Sequence, residues 1–185
     1  MTVIATVGLP GSGKSEAARV AAELDIPILT MGDVIREETR KRGLDPHKDH
    51  GSVATSLREE EGVAAVANRS IPMIESYLRE YDAVFIDGIR SDAEVDRFVS
   101  KFGDDFHLIS IEAPAALRQK RITTRGRDQS AADGGEDLSD RDRRELGFGM
   151  GEAMERADAV VSNDSSLTAF RSEIRTLLKS YLPDT

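Results

Sequence analysis

The sequence predicts a three-layer α/β fold, with five parallel strands in one sheet and helices on both faces. Two observations predict it. Five short apolar runs rich in Val and Ile recur along the chain, each followed by a helical pattern, and a glycine turn separates the first run from the first helix. Runs without long polar alternation are what strands buried on both faces look like, and strands alternating with helices give a parallel sheet.

The first run is "TVIATVGL", Thr2–Leu9. After the glycine turn, Ala17, Val20, Ala21 and Leu24 recur at helical spacing and share one face. The second run, "IPILT" (Ile26–Thr30), leads into a helix from near Asp33 that Gly43 can end. Residues 44–82 insert a polar loop, "LDPHKDHG", and then helical material, where Pro72 predicts a kink or a fresh start near Ser70. "AVFIDG" (Ala83–Gly88) is the third run, and Ser91 with Glu94 makes a capping box for the helix after it. "FHLISIEA" (Phe106–Ala113) and "AVVSN" (Ala159–Asn163) complete the strands. Between them, residues 118–157 contain an Arg-rich and then Gly/Asp-rich stretch, "RGRDQSAADGGEDLSDRDRR", whose middle is too polar and glycine-rich to pack, which predicts an exposed, mobile flap there. The stripe Leu167, Phe170, Ile174, Leu177, Leu178 and Tyr181 marks a final helix packed on the domain.

Composition narrows the function. A chain of 185 residues suits one domain, and without cysteine it has neither disulfides nor thiolate metal sites. No apolar run approaches the ~20 residues that span a bilayer, and the start lacks a basic leader, so no membrane partner is expected and the cytoplasm is the expected location. A net charge of −9 argues against nucleic-acid binding, which wants a basic face. The 25 basic residues comprise six Lys and nineteen Arg, a balance that points to a salt-rich cytoplasm.

The glycine turn carries the chemistry. "GLPGSGKS" fits G-x-x-x-x-G-K-[ST], with Gly8, Gly13, Lys14 and Ser15 at the required places, between a predicted strand and a predicted helix. Gly8, Leu9, Pro10, Gly11, Ser12 and Gly13 form a main-chain cradle whose N–H groups face phosphate oxygens, helped by the helix N-terminus. Lys14 neutralises the β and γ phosphates, and the Ser15 hydroxyl ligates Mg²⁺. The cofactors expected are therefore ATP, as phosphoryl donor, and Mg²⁺. A switch GTPase would need N-K-x-D, which begins at neither Asn68 nor Asn163, and a large motor or AAA-type ATPase would need a longer chain.

Further residues point to a small kinase. "MGDVIREE" and "VFIDGIR" place Arg36, Asp87 and Arg90 at the carboxyl edge of the sheet, where open α/β folds bind ligands. Asp87 can hold a metal-bound water, and Arg36 and Arg90 can clamp an acceptor phosphate bidentately. His47 and His50 with Asp45 and Asp49 read as plain loop or acceptor-pocket residues, since His-x-x-His without cysteine is a weak metal signal. "LREEEG" reads as a solvated helix face.

At these residues a resemblance enters. "PILTMGDVIR" and "FIDGIR" resemble segments of adenylate kinases and other nucleoside monophosphate kinases, and "ADAVVSNDSSLTAFRSEIRTLL" resembles the carboxyl-terminal part of dephospho-coenzyme A kinases. Taken whole, the chain most resembles an archaeal family of adenylate-kinase-like P-loop proteins, as a salt-adapted member. The resemblance implies a P-loop NTPase fold of the nucleoside monophosphate kinase type, with a core (1–43, 83–117 and 158–185), an acceptor-binding insertion (44–82) and a lid (118–157). It implies Arg121, Arg125, Arg127, Arg141 and Arg144 as phosphoryl clamps and Asn163 beside the donor adenine. Its partners would be ATP and a phosphorylated small-molecule acceptor, with AMP leading. Departures bear on the acceptor: "DGIR" replaces "DGFPR", the glutamine that reads AMP has no counterpart after Arg90, and Thr30 and Gly32 replace the aspartate pair of dephospho-coenzyme A kinases, with Asp33 one position on. Transfer to a hydroxyl, with Asp33 as base, and a sensor that binds nucleotide without turnover are the alternatives.

Overall fold

The computed structural model describes residues 1–125 and 137–183; Arg127 and the centre of the expected flap lie outside the described residues. Among the described residues the sheet has five strands, β1 (Thr2–Val7), β2 (Ile28–Thr30), β3 (Ala83–Ile89), β4 (Phe106–Glu112) and β5 (Ala159–Ser162). Their order is β2-β3-β1-β4-β5, and every pairing is parallel. β1 is central and buried along its whole length. Its alternate residues serve different layers: Val3, Ala5 and Val7 enter one core cluster and Ile4 the other, as the two-residue period of a strand requires.

Helices α1 (Lys14–Ala22) and α9 (Leu167–Tyr181) cover the Ile4 face. The opposite face takes α2 (Met31–Lys41), α4 (Ala65–Tyr77), α5 (Asp92–Phe102) and α8 (Met150–Glu155), and α3 (His50–Glu61) packs outside α2 and α4. Helices α6 (Ala115–Arg125) and α7 (Leu138–Leu146) flank the stretch that is not described. The stretches expected to be insertion (44–82) and lid (118–157) both contribute to the main core, through Val66, Ala67, Ile71 and Ile74 of α4 and Met150 and Ala153 of α8. On α9, Phe170, Ile174 and Leu178 are buried, whereas Leu167 is exposed at the first turn.

The fresh start expected as one outcome near Ser70 does not occur: α4 is one helix from Ala65 to Tyr77 with Pro72 inside it. Proline removes one helical hydrogen bond, but burial of Val66, Ala67, Ser70, Ile71 and Ile74 along a single face outweighs that loss. The capping box at α5 forms. Ser91 Oγ accepts from the Glu94 N–H at 3.2 Å, while the Glu94 carboxylate accepts from the Arg90 N–H at 2.8 Å. No helix among the described residues is long and apolar enough to cross a membrane.

Candidate active site

The turn between β1 and α1 needs its glycines. Gly8, Gly11 and Gly13 have φ of 149°, 78° and 123°, values that side chains disfavour. Space is limiting too. A Cβ on Gly8 would strike the Ile111 carbonyl of β4, and one on Gly13 would strike the Asn163 amide. The loop is therefore pressed down on the sheet edge with its main chain forming the upper surface. Ser12 Oγ is buried with no hydrogen-bond partner among the described residues. A glycine-built cradle with an orphaned hydroxyl fits a polyoxygen anion such as a triphosphate.

Three side chains brace this loop from below. Asn163, 5 % exposed, donates to the Ser12 carbonyl at 2.7 Å. Arg121 donates to the Asn163 carbonyl at 2.8 Å, to its side-chain oxygen at 3.0 Å and to the Ser12 carbonyl at 3.4 Å. Arg118, 4 % exposed, donates to the Pro10 carbonyl at 3.2 Å and to Ala113 at 3.1 Å, and makes a two-pronged pair with Asp142 of α7 at 2.8 and 2.6 Å. Sequence reasoning missed Arg118 and Asp142. Their positions in α6 and in a charge-dense run looked solvated, and only their burial together reveals the bond.

Lys14 closes over the loop. Its ammonium donates to the carbonyls of Gly8 at 2.5 Å and Leu9 at 3.3 Å. The residue as a whole is half-buried, but the ammonium is turned inward, and burial lowers its pKa from 10.5 to about 8. Asp87 and Glu145 oppose that shift, while Arg90 and Arg118 add to it. The structure therefore brings Lys14, Asp87, Arg90, Arg118 and Glu145 within electrostatic reach of one another. Asp87 stands in register with Thr6 of β1 and Thr30 of β2, at the carboxyl edge beside the loop, and Ser15 is the second residue of α1.

Arg90 follows β3 and is held from two sides. Its main chain is held by Glu94, whose carboxyl is pushed up by burial, and its guanidinium donates to Glu145 of α7 at 2.8 Å. Arg36 pairs with Asp33 on α2 at 2.6 Å. Arg144 stands 3.8 Å from Glu145, and Arg141 is half-buried on α7 with its Nε enclosed. Arg125 is the last residue of α6. In the polar loop, Asp49 accepts from the Asp45 N–H and Asp45 from the His47 N–H, both at 2.9 Å, so these carboxylates shape the turn.

Comparison with known proteins agrees with this architecture. A family model described as an AAA domain matches residues 7–138. Chain length argued against a large AAA-type ATPase, and the matched stretch here spans only the cradle through the start of α7. A UPF0200 protein of Halobacterium salinarum is 51% identical over 185 residues, covering 100% of this chain and 96% of the relative. One from Methanosarcina acetivorans is 48% identical, covering 98% and 96%. Among solved structures, TT1252 from Thermus thermophilus superposes with a TM-score of 0.63 at 20% identity, covering 97% of each chain. A gluconokinase from Sinorhizobium meliloti gives 0.60 at 16% identity, covering 98% and 93%. A shikimate kinase from Acinetobacter baumannii gives 0.57 at 18%, covering 97% and 92%. The shared fold is that of the P-loop kinases.

Proposed function

The chain belongs to the UPF0200 family, and from that premise we propose that it is an ATP- and Mg²⁺-dependent phosphotransferase acting on a nucleoside monophosphate such as AMP. The observation that carries this reading is the convergence of Lys14, Asp87 and Arg90 at the carboxyl edge of the sheet, beside a cradle that fits a triphosphate. An enzyme for phosphoryl transfer needs positioning and charge neutralisation there more than covalent chemistry.

In this reading the N–H groups of residues 8–15 hold the β and γ phosphates, and Lys14 leaves the Gly8 and Leu9 carbonyls to join them. Bound Mg²⁺ supplies further neutralisation; Ser15, and Asp87 through a water, are the residues that would hold it. Arg90, with Arg36 once released from Asp33, grips the acceptor phosphate. An acceptor oxygen attacks the γ phosphorus, the bond to the β-phosphate oxygen breaks, and ADP leaves with the electron pair. The acceptor oxygen is already anionic near neutral pH, so no base is required. Residues 44–82 form the acceptor side and residues 118–157 the lid side, with Arg121, Arg125, Arg127, Arg141 and Arg144 as its arginines and Asn163 near the adenine. The acidic, arginine-dominated surface and the Halobacterium relative support work in a salt-rich cytoplasm.

Transfer to a hydroxyl is the second reading, favoured by neighbours named as shikimate kinase and gluconokinase. It would require Asp33 as base, and Asp33 pairs with Arg36 in the structure, a contact that the first reading opens as well. The test is a panel of nucleoside monophosphates, dephospho-coenzyme A, shikimate and gluconate with ATP and Mg²⁺ at low and molar KCl. Transfer to AMP that is lost in Lys14→Ala and slowed, or raised in KM, by Arg90→Ala supports the proposal. Transfer only to a hydroxyl acceptor favours the second reading, and tight ATP binding with no transfer favours a sensor.

A further inference from the structure

Helix α7 presents two carboxylates one turn apart, Asp142 and Glu145, and each meets an arginine from another element. The two pairs are built differently. Asp142 uses both oxygens on Arg118, whose side chain is only 5% exposed. That is a permanent brace: both partners are satisfied and solvent is excluded.

Glu145 uses one oxygen only. Its Oε1 takes the Arg90 Nη1–H at 2.8 Å, while Oε2 is buried without a hydrogen-bond partner among the described residues. The Glu145 side chain is 5% exposed, but that of Arg90 is 50% exposed. A half-satisfied buried carboxylate opposite a half-open guanidinium is a poor permanent pair, because the unpaired oxygen carries a desolvation cost with no return. The Nε and Nη2 edge of Arg90 makes no hydrogen bond within the described structure, so a phosphate can dock there while Glu145 still occupies Nη1.

We propose that Glu145 is an internal competitor for Arg90, holding the guanidinium in place when the acceptor is absent and weakening the grip on any phosphate that lands on it. This positioning role rests on Arg90 being the acceptor arginine. A dianion on the free edge of Arg90 would lie roughly 6 Å from the Glu145 carboxylate, and with the dielectric of water at low ionic strength that repulsion corresponds to about tenfold in affinity. The consequence for turnover is release. A phosphorylated product gripped by an unopposed arginine leaves slowly, and product release limits many enzymes of this kind.

The test is calorimetric titration of AMP into wild type, Glu145→Gln, Arg90→Gln and the double variant. Affinity for a non-hydrolysable ATP analogue serves as the check that each variant is folded. Glutamine keeps the hydrogen bond to Nη1 and removes only the charge. Glu145→Gln is expected to bind AMP about tenfold more tightly at low ionic strength, with no such gain when Arg90 is already glutamine. In turnover the same variant should show a lower acceptor KM together with a lower kcat, a split that a purely structural role would not produce. Wild type binding AMP with Glu145→Gln no tighter, or a gain that persists without Arg90, overturns the competitor role alone. If AMP binds to neither protein while the ATP analogue binds both, the acceptor reading fails and the competitor role falls with it.

Discussion

Raising the pH from 7.5 to 9.5 should weaken ATP binding about twentyfold through one proton. In the free protein the Lys14 ammonium is enclosed by its own loop, and burial brings its pKa to about 8. The donor triphosphate would place several negative charges beside it, which favours the charged form and returns the pKa towards or above 10.5. The sign follows from linkage. Below pH 8 both free and bound proteins carry the protonated lysine and affinity is flat. Above it the free protein has lost a proton that binding must restore, so affinity falls by about tenfold per pH unit until the bound form titrates as well. Proton uptake per ATP bound should rise from about a quarter near pH 7.5 to about nine-tenths near pH 9. Titration calorimetry of the Mg²⁺ complex of a non-hydrolysable analogue, in paired buffers of different ionisation enthalpy at fixed KCl, measures both quantities. Starting at pH 7.5 keeps the nucleotide's own titration out of the window. Lys14→Arg, which stays charged throughout, should bind with little pH dependence. Affinity that stays constant from pH 7.5 to 9.5 in the wild type would refute the enclosed ammonium as the group that meets the phosphates.

Three further outcomes follow from the same geometry. Lys14→Met should lose ATP binding yet raise the apo protein's unfolding free energy at pH 7, by at most about 3 kcal/mol, because an unfavourably buried charge is gone; urea titration that shows destabilisation would contradict this. Gly13→Ala should cost about 1–3 kcal/mol and abolish nucleotide binding, since φ 123° disfavours a side chain and the new methyl meets Asn163; wild-type ATP affinity in this variant would overturn the argument. Arg118→Met should destabilise by about 3–5 kcal/mol, leaving Asp142 unpaired, and pairing it with Asp142→Leu should recover much of the loss; additive losses in chemical denaturation would count against the brace.

What could be read from the sequence divides by the range of the interaction that carries it. The strands, the cradle and the α5 cap were legible because each is encoded within a few residues: apolar runs, glycines flanking a lysine, a serine three before a glutamate. A fresh start near Ser70 did not follow from Pro72, because the packing that keeps α4 in one piece comes from strands elsewhere in the chain. The side chains around the cradle were legible only in part. Arg90 and Asp87 follow a strand directly, so their place at the sheet edge could be inferred. Arg118 and Asp142 are 24 residues apart and Arg90 and Glu145 are 55 apart, and nothing in either local stretch distinguishes them from the surface charges around them.

The run "SDRDRREL" shows why. Arg143 pairs with Asp140 on the exposed face of α7, a contact of little energetic weight, whereas Asp142 and Glu145 point inward to different partners. By composition all of these are one solvated charge cluster. By position on the helix, one carboxylate pairs with the arginine that braces the glycine loop and another, three residues on, holds Arg90. Helix α7 therefore touches both halves of the proposed reaction through a single face. A change that shifted α7 by a fraction of a turn would be felt at Pro10 and at Arg90 together. Such coupling depends on where the helix docks, and beside its charged pairs α7 buries Leu138, while the α8 that follows buries Met150 and Ala153 in the main core.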